Sequence, residues 1–496
     1  MGKENRDFRD EKSFLKFLKS IIEKQNRGEL AQLKSINLSY VRLMTLPADI
    51  GSLVNLESLK LHASTLTLLP PEIGQLTDLL YLDLCATPLN KLPPEIGRLQ
   101  KLQTLDLQSA ALQVLPPEIA QLSSLVTLKL GNTNLAPIPP EVAQLTNLKI
   151  LDLSHSSNLP EGLQNFIHAE TLLLKNSYFK SLPIEVGDLT NLKKLNLSQT
   201  RLVALPPEIG QLVNLEVLDL SYTNISTLPP EIGQLKKLHT LKLQHSKLIS
   251  IPPELGNLTK LQTLDLGKTK IAKVPPEIGK LTQLQTLHLN STLIESLPQE
   301  IGGLTELQFL NLSSSDISIL PSSMGALTKL ESLQMHATWV EDLPDEITNL
   351  TNLKHLELSK SNLMILPQLM GRLTNLRALN LQGTQISFLP LSLGKLEKLM
   401  RLDIHYTNIK EIPGELEHLP GLKFWRPKPK TPERQIYPST KFKKPNYVPK
   451  GVELDLIAYA DTEQHEQIEQ AKQTLVHFVG ELGLTLKQGE SDDRLP

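Results

Sequence analysis

Seven of the twelve histidines, His62, His155, His245, His288, His336, His355 and His405, are expected on outward-facing strand positions, at the alternating residues of stretches such as "LDLSYTNI" at 218–225. Imidazoles can ligate metals, move protons or anchor a partner. Ligation needs several donors at close spacing, and no run of the sequence offers one, so no metal and no cofactor is expected. The stretch "LGKTK" at 266–270 has the Gly-Lys-Thr of a phosphate loop, but Gln262 stands where that loop needs glycine, and the segment lies on a strand-like alternation. Cys85 is the single cysteine, which excludes a disulfide framework. No nucleophile, base and orienting group come together, so the chain is expected not to be an enzyme. The remaining chemistry is recognition. The candidates are Tyr222, His288, Phe309, His336, His355, Glu357, Arg401, Asp403, His405 and Tyr406, expected on outward-facing strand positions of one sheet face. Aromatic side chains and arginine on a rigid face are typical anchors for a protein partner; the competing reading is a solvated face of alternating charge.

These residues are placed by a repeat. Steps of 23 from Thr223 reach Thr200, Ser246, Thr269, Thr292, Ser315, Thr338, Ser361, Thr384 and Thr407. A single 21-residue step joins Ser177 to Ser156, and 23 resumes through Thr133, Ala110, Thr87, Ser64 and Val41. Around Thr223 the pattern is L-x-x-L-x-L-x-x-T-x-I, from Leu215 through Leu218, Leu220 and Ile225, followed by "STLPPEIGQL". Alternating leucines make a strand, and Pro-Pro turns the chain back. One such strand cannot bury its apolar face alone, but a stack can. Each repeat therefore covers its neighbour, and an α/β solenoid with a parallel sheet on its concave side is expected.

The pattern resembles the leucine-rich repeat over roughly residues 30 to 425. Copies of "PPEIG" at Pro70, Pro93, Pro206, Pro229 and Pro275 make it similar to the cytoplasmic 23-residue class: plant intracellular Ras-group-related proteins, Ras-pathway scaffolds and bacterial relatives. The resemblance implies a horseshoe that binds a protein partner on its concave face, as a scaffold in signal transduction, with a small GTPase among the partner classes. In the family an asparagine links one repeat to the next where this chain has Ser or Thr. A hydroxyl also donates and accepts, so Thr87, Thr133, Thr200, Thr223, Ser246, Thr269, Thr292, Ser315, Thr338, Ser361, Thr384 and Thr407 are expected to form a buried structural ladder, broken at Val41 and Ala110.

An open stack needs caps. Phe14, Phe17, Leu18, Ile21 and Ile22 share one helix face, giving an N-terminal capping helix within 1–29, with a membrane-surface helix as the alternative. Repeats occupy 30–425, about 17 strands, and Trp425 is expected at a leucine position where the far cap begins. A basic, proline-rich linker follows at 426–450. Counted from 423, the segment to 450 carries nine Lys and Arg, one acid and six prolines. Its alternative role is contact with an acidic surface. Residues 451–496 read as strand, helix, strand, too small for an independent core. An alternative function follows: the recognition module of a larger effector or sensor whose active domain lies beyond residue 496. Formal charge is −2, which argues against general nucleic-acid binding. No apolar signal core or membrane span is present, so a cytoplasmic location is expected.

Overall fold

A computed structural model describes residues 5–23, 32–419 apart from 134, 136, 137, 158 and 160, and 423–425. All belong to a compact unit spanning Met1–Pro429. The expectations for 426–450 and 451–496 lie outside the described residues, as do those for the side chains of Ile21 and Ile22.

The described residues hold one open sheet of 19 parallel strands, paired in chain order. Each strand is three residues long. In β10 (Val217–Asp219), the central Leu218 is fully buried and Val217 and Asp219 are half-exposed. It pairs with β9 (Lys194–Asn196) and β11 (Thr240–Lys242) with no offset, so Leu195, Leu218 and Leu241 stand side by side. One column of leucines thus becomes one continuous core.

After every described strand but the first and the last, the chain passes through a tight turn with one left-handed residue. After β10, Asp219 Oδ1 accepts the Ser221 amide at 3.0 Å, Tyr222 sits at φ 59°, and Thr223 Oγ1 donates to the Leu220 carbonyl at 2.8 Å. The same hydroxyl bond, to the carbonyl three residues back, recurs from Thr87 to Leu84 through Thr407 to Ile404. Most of these hydroxyls therefore close their own turns instead of linking repeats; Ser177 is an exception, its Oγ accepting from the Ser156 amide of the preceding repeat at 3.1 Å. A hydroxyl three bonds from its own backbone reaches the carbonyl of that turn more readily than the next repeat. Backbone groups make the repeat-to-repeat links: Leu220 N donates to Lys242 O and Tyr222 N to Gln244 O, both at 2.8 Å. Where the hydroxyl is missing, the amide closes the turn, from Val41 to Leu38 and from Ala110 to Leu107. Ser246 differs again, its Oγ accepting from Leu248 N at 3.4 Å.

The return path carries five-residue 3-10 helices such as Pro230–Gln234, with Pro229 extended ahead of it and Ile232 and Gly233 buried. A Cβ on Gly233 would stand 2.5 Å from the Glu254 carbonyl. The glycine of "PPEIG" is thus set by close approach of the next repeat. In the 21-residue step this side changes: the helix shrinks to Leu163–Asn165 behind Gly162 at φ 88°. The strands β7 (Ile150–Asp152) and β8 (Thr171–Leu173) still pair in register.

The two ends differ from the sequence reading. A strand not anticipated, β1 (Asn5–Asp7), pairs with β2 (Ser35–Asn37) and occupies the sheet edge ahead of helix α1 (Glu11–Glu23). Phe14 and Leu18 of α1 are buried, and Phe8 meets Phe14 edge-on at 5.4 Å. At the far end β19 (Lys423–Trp425) pairs with β18 (Arg401–Asp403) so that Phe424, not Trp425, is the partner of Leu402. The last step is 22 residues rather than 23. Its 3-10 helix is only Gly414–Leu416, and the chain leaves it through Glu417 in right-handed helical conformation. Among the described residues no helix is long and apolar enough to cross a membrane.

Candidate functional site: the sheet face

The outward positions of the strands and the turn residues after them form the sheet face. The first strand position runs in register from Thr286 in β13 (Thr286–His288) to Phe309, Ser332, His355, Ala378 and Arg401 in β14 (Phe309–Asn311), β15 (Ser332–Gln334), β16 (His355–Glu357), β17 (Ala378–Asn380) and β18. Phe309 is half-exposed and tilts against the His288 ring at 5.0 Å; His355 and Arg401 are exposed. The sheet sets these four along one face, on β13, β14, β16 and β18.

Glu357 and Asp403 end their strands facing outward as expected, but the other rings lie beyond the strands. Tyr222, Tyr406, His155 and His245 are not on strands. They occupy the left-handed residue of the turn, with φ between 58° and 61°. His62, His336 and His405 stand one residue before it. The period-2 alternation was extended past the strand, where the chain has already turned. The turn still exposes large rings: Tyr222 stacks on His245 at 4.3 Å and 13°, and Tyr406 lies 6.2 Å from His405. Burial, then the Lys268 charge, lowers the His245 pKa.

Glu357 and Asp403 are already engaged. Glu357 accepts the Ser359 amide at 2.9 Å and the Asn380 side chain at 2.8 Å. Asp403 Oδ1 takes both the His405 amide at 3.0 Å and its Nδ1 at 2.8 Å. Position three of a strand thus supplies the acceptor that holds the amide two residues on, as Asp219 does. His336 Nδ1 meets Ser359 Oγ at 2.7 Å. Ser359 is buried, however, and Glu357 bonds its backbone rather than the imidazole, so the three do not form a nucleophilic relay. At "LGKTK", Lys268 is the left-handed residue and Thr269 bonds the Leu266 carbonyl; no helix N-terminus faces the loop.

At the other end of the face the side chains are acidic and tied down. Asp106, buried in β5 (Thr104–Asp106), pairs with Lys129 of β6 (Thr127–Lys129) at 2.9 Å. Asp152 accepts the Gln108 amide group at 3.0 Å. Burial, with Asp106 and Asp83 next in weight, pushes the Cys85 thiol up to about 12, so it stays protonated and unreactive at neutral pH.

Residues 72–137, 180–249, 231–292 and 277–369 match the family profile described as a leucine-rich repeat region. A leucine-rich repeat protein of Leptospira interrogans is similar in structure, with TM-score 0.67 and 36% identity over 84% of this chain and 99% of that one. A plant peptide hormone receptor, RGFR1 in complex with RGF2, gives 0.61 and 29% over 79% and 66%. The Arabidopsis receptor kinase HAESA, in complex with the peptide hormone IDA and the co-receptor SERK1, gives 0.54 and 27% over 80% and 74%. Among curated proteins nothing matches.

Proposed function

The chain belongs to the leucine-rich repeat family, and on that premise we propose that it is a non-enzymatic interaction protein whose partner docks on the β14–β18 end of the sheet face. The observation carrying this is the register that sets Phe309, His355 and Arg401 on one rigid surface while the inward leucines alone fill the core. Four strand steps span about 19 Å, within reach of one partner segment. Tyr406 and the ring of His405 extend the same area past the strand ends. The relatives in complex with peptide hormones support a protein or peptide as the partner class. The "PPEIG" repeats support the finer reading of a cytoplasmic scaffold in signal transduction, with a small GTPase first among signalling partners to test.

The test is capture of partners from a lysate of the source cells, and from a panel of nucleotide-loaded small GTPases, by wild-type protein and by Phe309→Ala/Arg401→Ala. Two anchors at about 2 kcal/mol each, about 30-fold apiece, predict a loss of affinity of about 1,000-fold where they add, with little change in the thermal midpoint. Substitution of Lys236 and Lys260 on the return side, both exposed, leaves binding intact. Binding that survives the first pair and fails with the second places the interface on the return side and overturns the proposal. Glu208 does not serve as such a control, because its Oε2 is buried without a hydrogen-bond partner.

A further inference from the structure

The acidic end of the sheet face holds a second feature, separate from the docking surface. His62 and Cys85 are 23 residues apart and occupy the same place in successive repeats, one residue before the left-handed turn residues Ala63 and Ala86. Asp83 ends β4 (Tyr81–Asp83), two residues before Cys85. The donor atoms of the three side chains all lie within 4.8 Å of one another, and all three residues are half-exposed. They offer an imidazole nitrogen, a carboxylate oxygen and a thiol sulfur.

The backbone beneath them is fixed. The Ala63 amide donates to the Cys85 carbonyl at 2.8 Å, locking the two turns together. The Cys85 amide donates to Asp83 Oδ1 at 3.0 Å and the Tyr81 hydroxyl also bonds this carboxylate, which together orient it toward the cluster. Tyr40 packs edge-on against the His62 ring at 5.3 Å and 75°. The charge around the cluster is negative: Asp106 acts on Tyr81, Asp83 and Cys85 alike. The neighbouring Lys129 is bound to Asp106. A carboxylate beside an imidazole and a sulfur, all within 4.8 Å of one another, favours a dication at that place.

We propose that His62, Asp83 and Cys85 form a binding site for one divalent late transition-metal ion, zinc being the best match. Sulfur and nitrogen donors select this class over magnesium or calcium. Zinc bonds of about 2.0–2.3 Å in a tetrahedron place donors roughly 3.3–3.8 Å apart, so side-chain rotations of about 1 Å complete the site. Three protein donors leave the fourth position open to water or to a donor from a partner. The ion would clamp two successive repeats on their outward side, where the core leucines do not reach.

The test is titration of the full chain with Co2+, followed by displacement with Zn2+. Because Cys85 is the only cysteine, a thiolate-to-cobalt charge-transfer band reports this site and no other. The expected result is one ion per chain, with that band and tetrahedral d–d bands, both removed by Zn2+. Cys85→Ser abolishes the charge-transfer band. Asp83→Asn, whose Oδ1 can still hold the Cys85 amide, and His62→Asn each weaken binding at least tenfold. His239→Asn, in a repeat distant from the cluster and outside the docking surface, leaves Co2+ binding unchanged. Thermal midpoints of the metal-free variants establish that each is folded. Absence of a thiolate band at excess Co2+, unchanged affinity in Asp83→Asn and His62→Asn, or one ion shared by two chains overturns the proposal.

Discussion

Two stretches of the same sheet face are built on the same backbone and present opposite surfaces. Along β4–β7 the outward side chains satisfy one another: Asp106 and Asp152 are only 5% and 7% exposed, with Lys129 and Gln108 as partners. Along β14–β18 the first-position column offers Phe309, His355 and Arg401, which the core does not use. The repeat demands inward leucines and a closed turn. Even its position-three acceptor is dispensable, since Lys129 and His288 stand there without that bond. Everything else on the face is free to serve either internal bonding or an outside partner, and the two stretches take different options.

The contrast breaks most visibly in stability. Asp106→Ala strips Lys129 of its ion-pair partner and the Gln108 amide of its acceptor at 3.2 Å. The expected cost is about 1–3 kcal/mol in urea denaturation, below that of a fully buried pair because Lys129 keeps access to water. Phe309→Ala, by contrast, costs less than about 1 kcal/mol, the scale of one ring contact. Equal midpoints for the two variants would erase the distinction drawn here.

A smaller effect is shared by both stretches. Thr269→Val keeps the shape and removes the donor to the Leu266 carbonyl, for about 1 kcal/mol. Thr87→Val and Thr384→Val, beneath opposite ends of the face, are expected to match it. Thr407→Val costs less, being only half-buried near the end of the stack. A gradient among the first three would mean that the turn depends on which face it supports.

The smallest effect lies between the stretches. Glu170 bridges Lys149 at 2.7 Å and Lys193 at 2.8 Å across the 21-residue step. Those two hydrogen bonds hold its carboxyl below the ordinary value of 4.5. A depressed folded-state pKa contributes stability above the unfolded value and loses it as pH falls through the folded one. Glu170→Gln therefore lowers stability by a few tenths of a kcal/mol at pH 7. The difference from wild type fades in strong acid and in high salt, as paired denaturation midpoints would record.

The fold was legible because its signals repeat. The leucine columns and the Ser/Thr column recur every 23 residues, so errors in one copy are corrected by the next. The left-handed turn residue recurs just as regularly but was not read. Among the described residues sixteen other than glycine adopt it, Tyr222, Lys268 and Ala337 included, and Gly383, Asn132 and Asn176 alone carry the usual compositional sign. Sheet geometry imposes that φ, and composition does not announce it. The end strands escaped for a related reason: β1 has no apolar alternation, and the 22-residue step before β19 moves Phe424 into the place assigned to Trp425. The His62–Asp83–Cys85 cluster was within reach of the same arithmetic, since 85 less 62 is 23. A search for metal ligands along the chain overlooks donors that neighbour one another only across the stack.

The chain-order pairing of the sheet also has a mechanical consequence. The hydrogen bonds between strands run along the stacking direction, so tension on the two ends of the stack loads them one repeat at a time, as in a zipper. Each release frees 23 residues, about 80 Å of extended chain. Such a structure yields as a series of nearly equal links, and its resistance is set by the weakest link in place of the sum of them all.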